Sequence, residues 1–226
     1  MPAVLPQESL ITLTEPTSAA AEAFRRLRTN VQFADVDRPL RTLAVASPQV
    51  GSGKSTIVAN LAVAFVQSGK QVIVVDADLL RPVQHAIFGT AEAPGLVNVL
   101  AGELALETAL LDTAAPGVRL LPAGPQAVNP AQTLNSPRMD GLMSSLLEFA
   151  DIVLFDTPAL AALADSALFA ARVDGVLLVA DSGTSRRGDM RSARDLLERV
   201  HAHILGAALN HAHPARGLLG NILTPV

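Results

Sequence analysis

The segment Ser47-Pro48-Gln49-Val50-Gly51-Ser52-Gly53-Lys54-Ser55-Thr56 sets two glycines, a lysine and four hydroxyls within ten residues. Glycine lets successive backbone N–H groups turn toward an anion where a Cβ would clash. A lysine and a hydroxyl at the start of a helix then complete a phosphate cradle. Lys54 reaches the β- and γ-phosphates of a nucleoside triphosphate, the Ser55 hydroxyl ligates Mg²⁺, and Thr56 touches the α-phosphate. Gly51, Ser52 and Gly53 supply the backbone groups. Pro48 stands where the G-x-x-x-x-G-K-[ST] pattern has glycine. The plainer reading is a glycine-rich turn capping a helix; the apolar run before it and the helical pattern after it weigh against that.

Three carboxylates follow apolar runs. Val72–Val75 leads into Asp76-Ala77-Asp78, and Ile152–Phe155 leads into Asp156. The carboxyl end of a buried strand is where open α/β sheets bind ligands. An acid after a strand, facing a phosphate loop, supports Mg²⁺, usually through water. Any one of these acids alone reads as a strand-end or helix-cap residue. Three in one phosphate-loop chain point to a site with Lys54, Asp76, Asp78 and Asp156 as its chemical groups and Ser55, Asp76 and Asp156 as its magnesium set.

The elements that must position these groups alternate along the chain. Strands are expected at 43–46, 72–75, 118–121, 152–155, 175–180 and 204–209. Helices are expected at 17–34, with Thr17 or Ser18 as cap, and at 56–67, 94–114 with a break near Gly102, 138–149, 164–171 and 188–201. The strands are continuously apolar, which means burial on both faces. The expected fold is α/β: a doubly wound, mostly parallel sheet with helices on both faces. Residues 1–16 read as an extended leader and 17–226 as a single domain.

Composition bounds the rest. The chain has 226 residues, half of them apolar, with aromatics at 3 %. Its core must be built from Ala, Val, Leu and Ile. A net charge of −4 leaves no electrostatic footprint for nucleic acid. There are no cysteines, so thiol catalysis and Cys-based zinc sites are excluded. The longest apolar stretches carry charge (Arg172 and Asp174 within 166–180), so none reaches the ~18 uninterrupted residues of a membrane span. No signal peptide is read at the N-terminus, and a cytoplasmic protein is expected. His201-Ala202-His203 and His211-Ala212-His213 offer alternate histidines, but surface loops are their plainer reading.

These segments resemble the bacterial tyrosine kinases of polysaccharide export, a P-loop group related to the cell-division and partition ATPases. The phosphate loop, VIVVDADLLRP at 72–82 and DIVLFDTPA at 151–159 carry the resemblance. So do Glu22–Asn30, similar to the family's E-x-x-R-x-x-R helix, and the LPAGP…NP stretch at 121–130. The resemblance implies ATP and Mg²⁺ as cofactors, with Asp76 or Asp78 orienting or deprotonating an acceptor hydroxyl and Asn210 meeting adenine. It also implies Glu22, Arg25 and Arg28 as contacts in a homo-oligomeric ring, and a membrane partner that recruits the chain to the inner face of the cell membrane. An exposed helix with i,i+3 charge pairs is the plainer reading of Glu22, Arg25 and Arg28.

Three departures stand out. Leu80 occupies the arginine position of the family's D-x-D-x-R, although Arg81 follows. Gln49-Val50 lacks the loop lysine of the partition-type ATPases. The sequence contains no tyrosine, so it cannot be its own tyrosine acceptor. The expected function is that of an ATP-using regulator of polysaccharide synthesis and export. A nucleotide-gated scaffold without phosphotransfer is the alternative, and a positioning ATPase of the division or partition type is the third.

Overall fold

The strands nearest the phosphate loop are buried along their whole length. β1 (Thr42–Ala46), β2 (Val72–Asp76) and β5 (Ile152–Asp156) expose no residue. In a strand, alternate side chains face opposite sides of the sheet, and here both sides are covered. Leu43 and Val45 of β1 join one apolar cluster, while Ala44 and Ala46 join the other. That is why the strand sequences read as unbroken apolar runs rather than as alternation.

The structure is a computed structural model describing residues 10–163, 166–212 and 223–224. Along the chain it forms α1 (Ile11–Thr14), α2 (Ala19–Gln32), β1, α3 (Lys54–Val66), β2, α4 (Gln84–Ile87), α5 (Leu96–Ala101), α6 (Leu106–Ala109), β3 (Leu111–Asp112) and β4 (Val118–Leu121). Then come α7 (Pro130–Leu134), α8 (Arg138–Phe149), β5, α9 (Ser166–Ala170), β6 (Gly175–Asp181), α10 (Arg187–Arg199), β7 (Ile204–Asn210) and β8 (Leu223–Thr224). The sheet order is β3-β4-β2-β5-β1-β6-β7-β8. The six central strands are parallel; β3 and β8 pair antiparallel at the two edges. The expected doubly wound, mostly parallel architecture is what forms.

Sheet order places the site. β1 lies between β5 and β6, so the chain leaves it through α3 and crosses β5 to reach β2. A crevice opens at such a crossing, beyond the carboxyl ends of the strands. Register makes those ends level: Val45 pairs with Asp156, and Asp76 pairs with Asp156.

Several elements follow sequence signals closely. Ser18 caps α2 by accepting from the Ala21 N–H at 3.1 Å, as a serine at that position should. Gly69, at φ +87°, turns the chain after α3, where only glycine is unstrained.

Two expectations are corrected. Residues 10–14 are not extended. Leu10 is buried, Thr12 N–H donates to Asn60 Oδ1 of α3 at 2.9 Å, and Gln67 Nε2 donates to the Thr12 carbonyl at 3.0 Å. A buried leucine and two side chains that satisfy backbone groups, Asn60 within α3 and Gln67 just after it, hold this turn down; residues 1–9 lie outside the described residues. The helix expected over 94–114 is two short helices and a strand. Gly102, at φ +81°, ends α5, and Leu111–Asp112 pairs with β4. The open edge of β4 outweighs the helix propensity of an Ala- and Leu-rich segment.

Candidate active site

The loop after β1 is braced from within. Ser47 Oγ and Ser52 Oγ both donate to the Gln49 carbonyl, at 2.8 and 2.9 Å. Gly51 and Gly53 take φ of +86° and +82°, and Gly53 caps α3. A Cβ at Gly51 would meet nothing within 4 Å, so that glycine is required by its backbone conformation and not by crowding. Gly53 is constrained twice, because a Cβ there would also strike Asn210 Nδ2. Lys54 is buried at the first turn of α3, with Ser55 and Thr56 beside it. Pro48 does not open the loop; its carbonyl accepts from Ala161 N–H at 3.0 Å, and Ser47's from Leu160 N–H at 2.9 Å. Those bonds tie the start of the loop to the segment leaving β5. A cleft of about 190 Å³ opens beside it, walled by Pro48, Gln49, Leu160 and Asp189, with Gln49 Nε2 donating to Asp189 at 2.8 Å.

Asp76 and Asp156 are fully buried on neighbouring strands, and Asp78 is 8 % exposed. Burial pushes the Asp76 carboxyl well above the usual carboxylate range; Asp156 pushes the same way, and backbone bonds from Gln84 and Val83 only partly oppose it. Burial also raises Asp156, against the pull of Lys54 and hydrogen bonds from Ser55 and Gln84. Asp78 is raised by burial as well, with Lys54 opposing. Three acids crowded beside one ammonium leave negative charge unbalanced. Asp76 Oδ1 and Asp156 Oδ1 are buried without a hydrogen-bond partner. Buried oxygens in that state are costly unless a cation or ligand satisfies them. The chemistry of these residues fits a magnesium ion.

Asn210, at the end of β7, reaches the same loop, where its Nδ2 donates to the Ser52 carbonyl at 3.1 Å. Sequence reasoning missed Gln84. It is fully buried at the start of α4, and it bonds Asp156, Ser55 and Asp76. No spacing or composition signal marks a lone glutamine after LLRPV. Leu80 stands 44 % exposed after Asp78, and Arg81 is also exposed, so no arginine is buried at this acidic edge beside Asp78.

The other expected residues stand elsewhere. Glu22 and Arg25 bond each other within α2 at 2.9 Å, and Glu22 also pairs with Arg26 at 3.4 Å. Arg28 donates to the Ala64 carbonyl of α3 at 3.3 Å. Among the described residues the histidines do not converge. His203 meets the Asp174 carbonyl and Asp35, His211 pairs with Asp181, and among the described residues no three His, Asp or Glu side chains group as a metal cluster. His213 lies outside the described residues.

Comparison with known proteins agrees with this geometry. Residues 40–198 match the family model described as an AAA domain. The chain is 37 % identical to the tyrosine-protein kinase YwqD of Bacillus subtilis, over 90 % of its own length and 86 % of that protein. This chain belongs to the bacterial tyrosine-protein kinase family. The fold of such kinases follows it closely. The crystal structure of the chimerical protein CapA2B2 superposes with a TM-score of 0.86 at 32 % identity, covering 90 % of each chain. A more distant P-loop relative, the septum site-determining protein MinD of Pyrococcus horikoshii complexed with Mg-ADP, gives 0.62 at 28 % identity, covering 77 % of this chain and 72 % of that one. The chain is thus a P-loop ATPase of the tyrosine-kinase family, as its loop and acids led us to expect.

Proposed function

We propose that this chain binds Mg-ATP at the carboxyl edge of β1, β2 and β5 and uses it to regulate polysaccharide synthesis and export. The observation that carries the reading is the pair of level strand ends. Asp76 and Asp156 present unpartnered buried oxygens beside Lys54 and Ser55. The MinD neighbour, a complex with Mg-ADP on a similar fold, supports the choice of ligand. The polysaccharide role rests on the family resemblance.

Each residue has a task. Backbone N–H groups from Gly51 to Thr56 and the N-terminus of α3 bind phosphate. Lys54 sits on the outer phosphates and offsets their charge. Ser55, Asp76 and Asp156 would hold a magnesium ion, which would supply charge neutralisation for phosphoryl transfer. Asp76 is sealed, and its Oδ2 is taken by two backbone bonds at 2.9 and 3.0 Å. Asp78 is the less buried acid, and burial raises its affinity for a proton. That combination favours Asp78 for orienting or deprotonating an acceptor hydroxyl. Asn210 places the adenine end.

The acceptor is not a tyrosine of this sequence, which has none. Phosphate goes to a second protein or to water. The family resemblance makes that second protein a membrane activator that recruits the chain to the cytoplasmic face, and Glu22, Arg25 and Arg28 the contacts of a ring. No described helix is long and apolar enough to cross a membrane. A scaffold reading, in which ATP assembles the ring and no phosphate is transferred, is favoured by exposed Leu80 standing in the arginine position. γ-Labelled ATP, supplied with magnesium and the partner's cytoplasmic tail, separates the two. Label on the partner makes the chain a kinase in trans. Label confined to ATP or free phosphate makes it a switch.

A further inference from the structure

Gln84 is enclosed entirely, yet it is polar and half of its amide is unused. Its backbone N–H donates to Asp76 Oδ2 at 2.9 Å. Its side-chain Nε2 donates to Asp156 Oδ2 at 2.8 Å and to the Ser55 carbonyl at 3.0 Å. Its Oε1 is buried with no hydrogen-bond partner. The amide cannot be reversed, since that would set Oε1 against a carboxylate oxygen and a carbonyl. A methionine or leucine would fill similar space and leave no stranded oxygen. Packing alone therefore does not account for glutamine here.

What the amide does is occupy one chosen oxygen. With Oδ2 of both acids held by the same residue, the two Oδ1 atoms are the ones left without partners. The bond to Ser55 fixes the first turn of α3, whose hydroxyl belongs to the same set. We infer that the Gln84 side chain is a positioning group that selects which oxygen of Asp156 faces the magnesium ion; the bond to Asp76 comes from its backbone N–H, which other residues would supply equally. This rests on the Mg-nucleotide reading above. The side chain is placed to act through Asp156 and Ser55. Partners one step outside a metal's ligands are commonly worth 10- to 100-fold in metal affinity.

The test is the coupling between magnesium and nucleotide, measured without turnover. ADP is titrated calorimetrically into the wild type, Gln84→Met and Gln84→Leu, once with Mg²⁺ and once with EDTA. The expected result is unchanged ADP affinity in EDTA and a magnesium-dependent gain reduced about tenfold in the variants. An undiminished gain in either folded variant overturns the inference. So does an equal loss with and without magnesium, which is what a purely structural role produces. If the wild type itself shows no magnesium gain, the Mg-nucleotide reading fails first, and this inference fails with it.

Discussion

Among single residues, the acids of this site are held against the interest of the fold. Burial raises Asp76 and Asp156, so the ionised forms oppose folding near neutral pH. Asp156→Asn is expected to melt higher than the wild type at pH 7 without nucleotide, and to lose magnesium-dependent binding; a lower melting point would reject the electrostatic account. Asp181 behaves oppositely. The hydrogen bond from His211, then that from Thr184, lowers its carboxyl from the ordinary value of 3.8 to about 2. A carboxylate lowered on folding contributes stability that is present above its unfolded pKa and lost as pH falls through the folded one. Between about pH 4 and 2, the wild type should therefore lose more stability than Asp181→Asn, as followed by circular dichroism in an acid series. Parallel curves would mean the pairing adds nothing. The residues legible in sequence here were those with a fixed spacing: Gly51, Gly53, Lys54, Ser55 and the three strand-end acids. Gln84 was illegible because its contacts come from three elements far apart in the chain.

Among elements, backbone conformation and docking decide the behaviour. Gly53→Ala forces a side chain into a φ of +82° and onto Asn210 Nδ2. Nucleotide affinity should fall at least tenfold while the sheet stays folded, since the clash sits at the loop and not in the core; calorimetry with circular dichroism reads both. α1 is held to α3 by buried Leu10 and by the Thr12–Asn60 and Thr12–Gln67 bonds. Leu10→Ala should cost about 2 kcal/mol of stability, measured by denaturant unfolding; a change below about 0.5 kcal/mol would show that the turn is not docked in solution. The long elements were readable because apolar runs and 3.6-residue periodicity extend over them, and α8 was expected at its observed bounds, 138–149. The short ones were not. α1, β3 and α7 span two to five residues each, and what forms them is a neighbour: α3 for α1, the edge of β4 for β3.

For the whole molecule, one parallel sheet carries the nucleotide site along its carboxyl edge, with α2 packed against α3. In the single chain, Glu22 satisfies itself with Arg25 and Arg26. Exposed pairs of this kind contribute little and exchange partners readily. If α2 forms the ring contact, Glu22→Ala with Arg25→Ala leaves a folded protein whose size by light scattering no longer grows with ATP. Unchanged assembly would reject the ring. All of this depends on the loop and acids being a working nucleotide site. The most direct measurement is a calorimetric titration of Mg-ATP into the wild type and into Lys54→Met. The account expects saturable binding at one site per chain, with affinity lost by at least tenfold in a variant that stays folded by circular dichroism. Equal binding by the two proteins would contradict it.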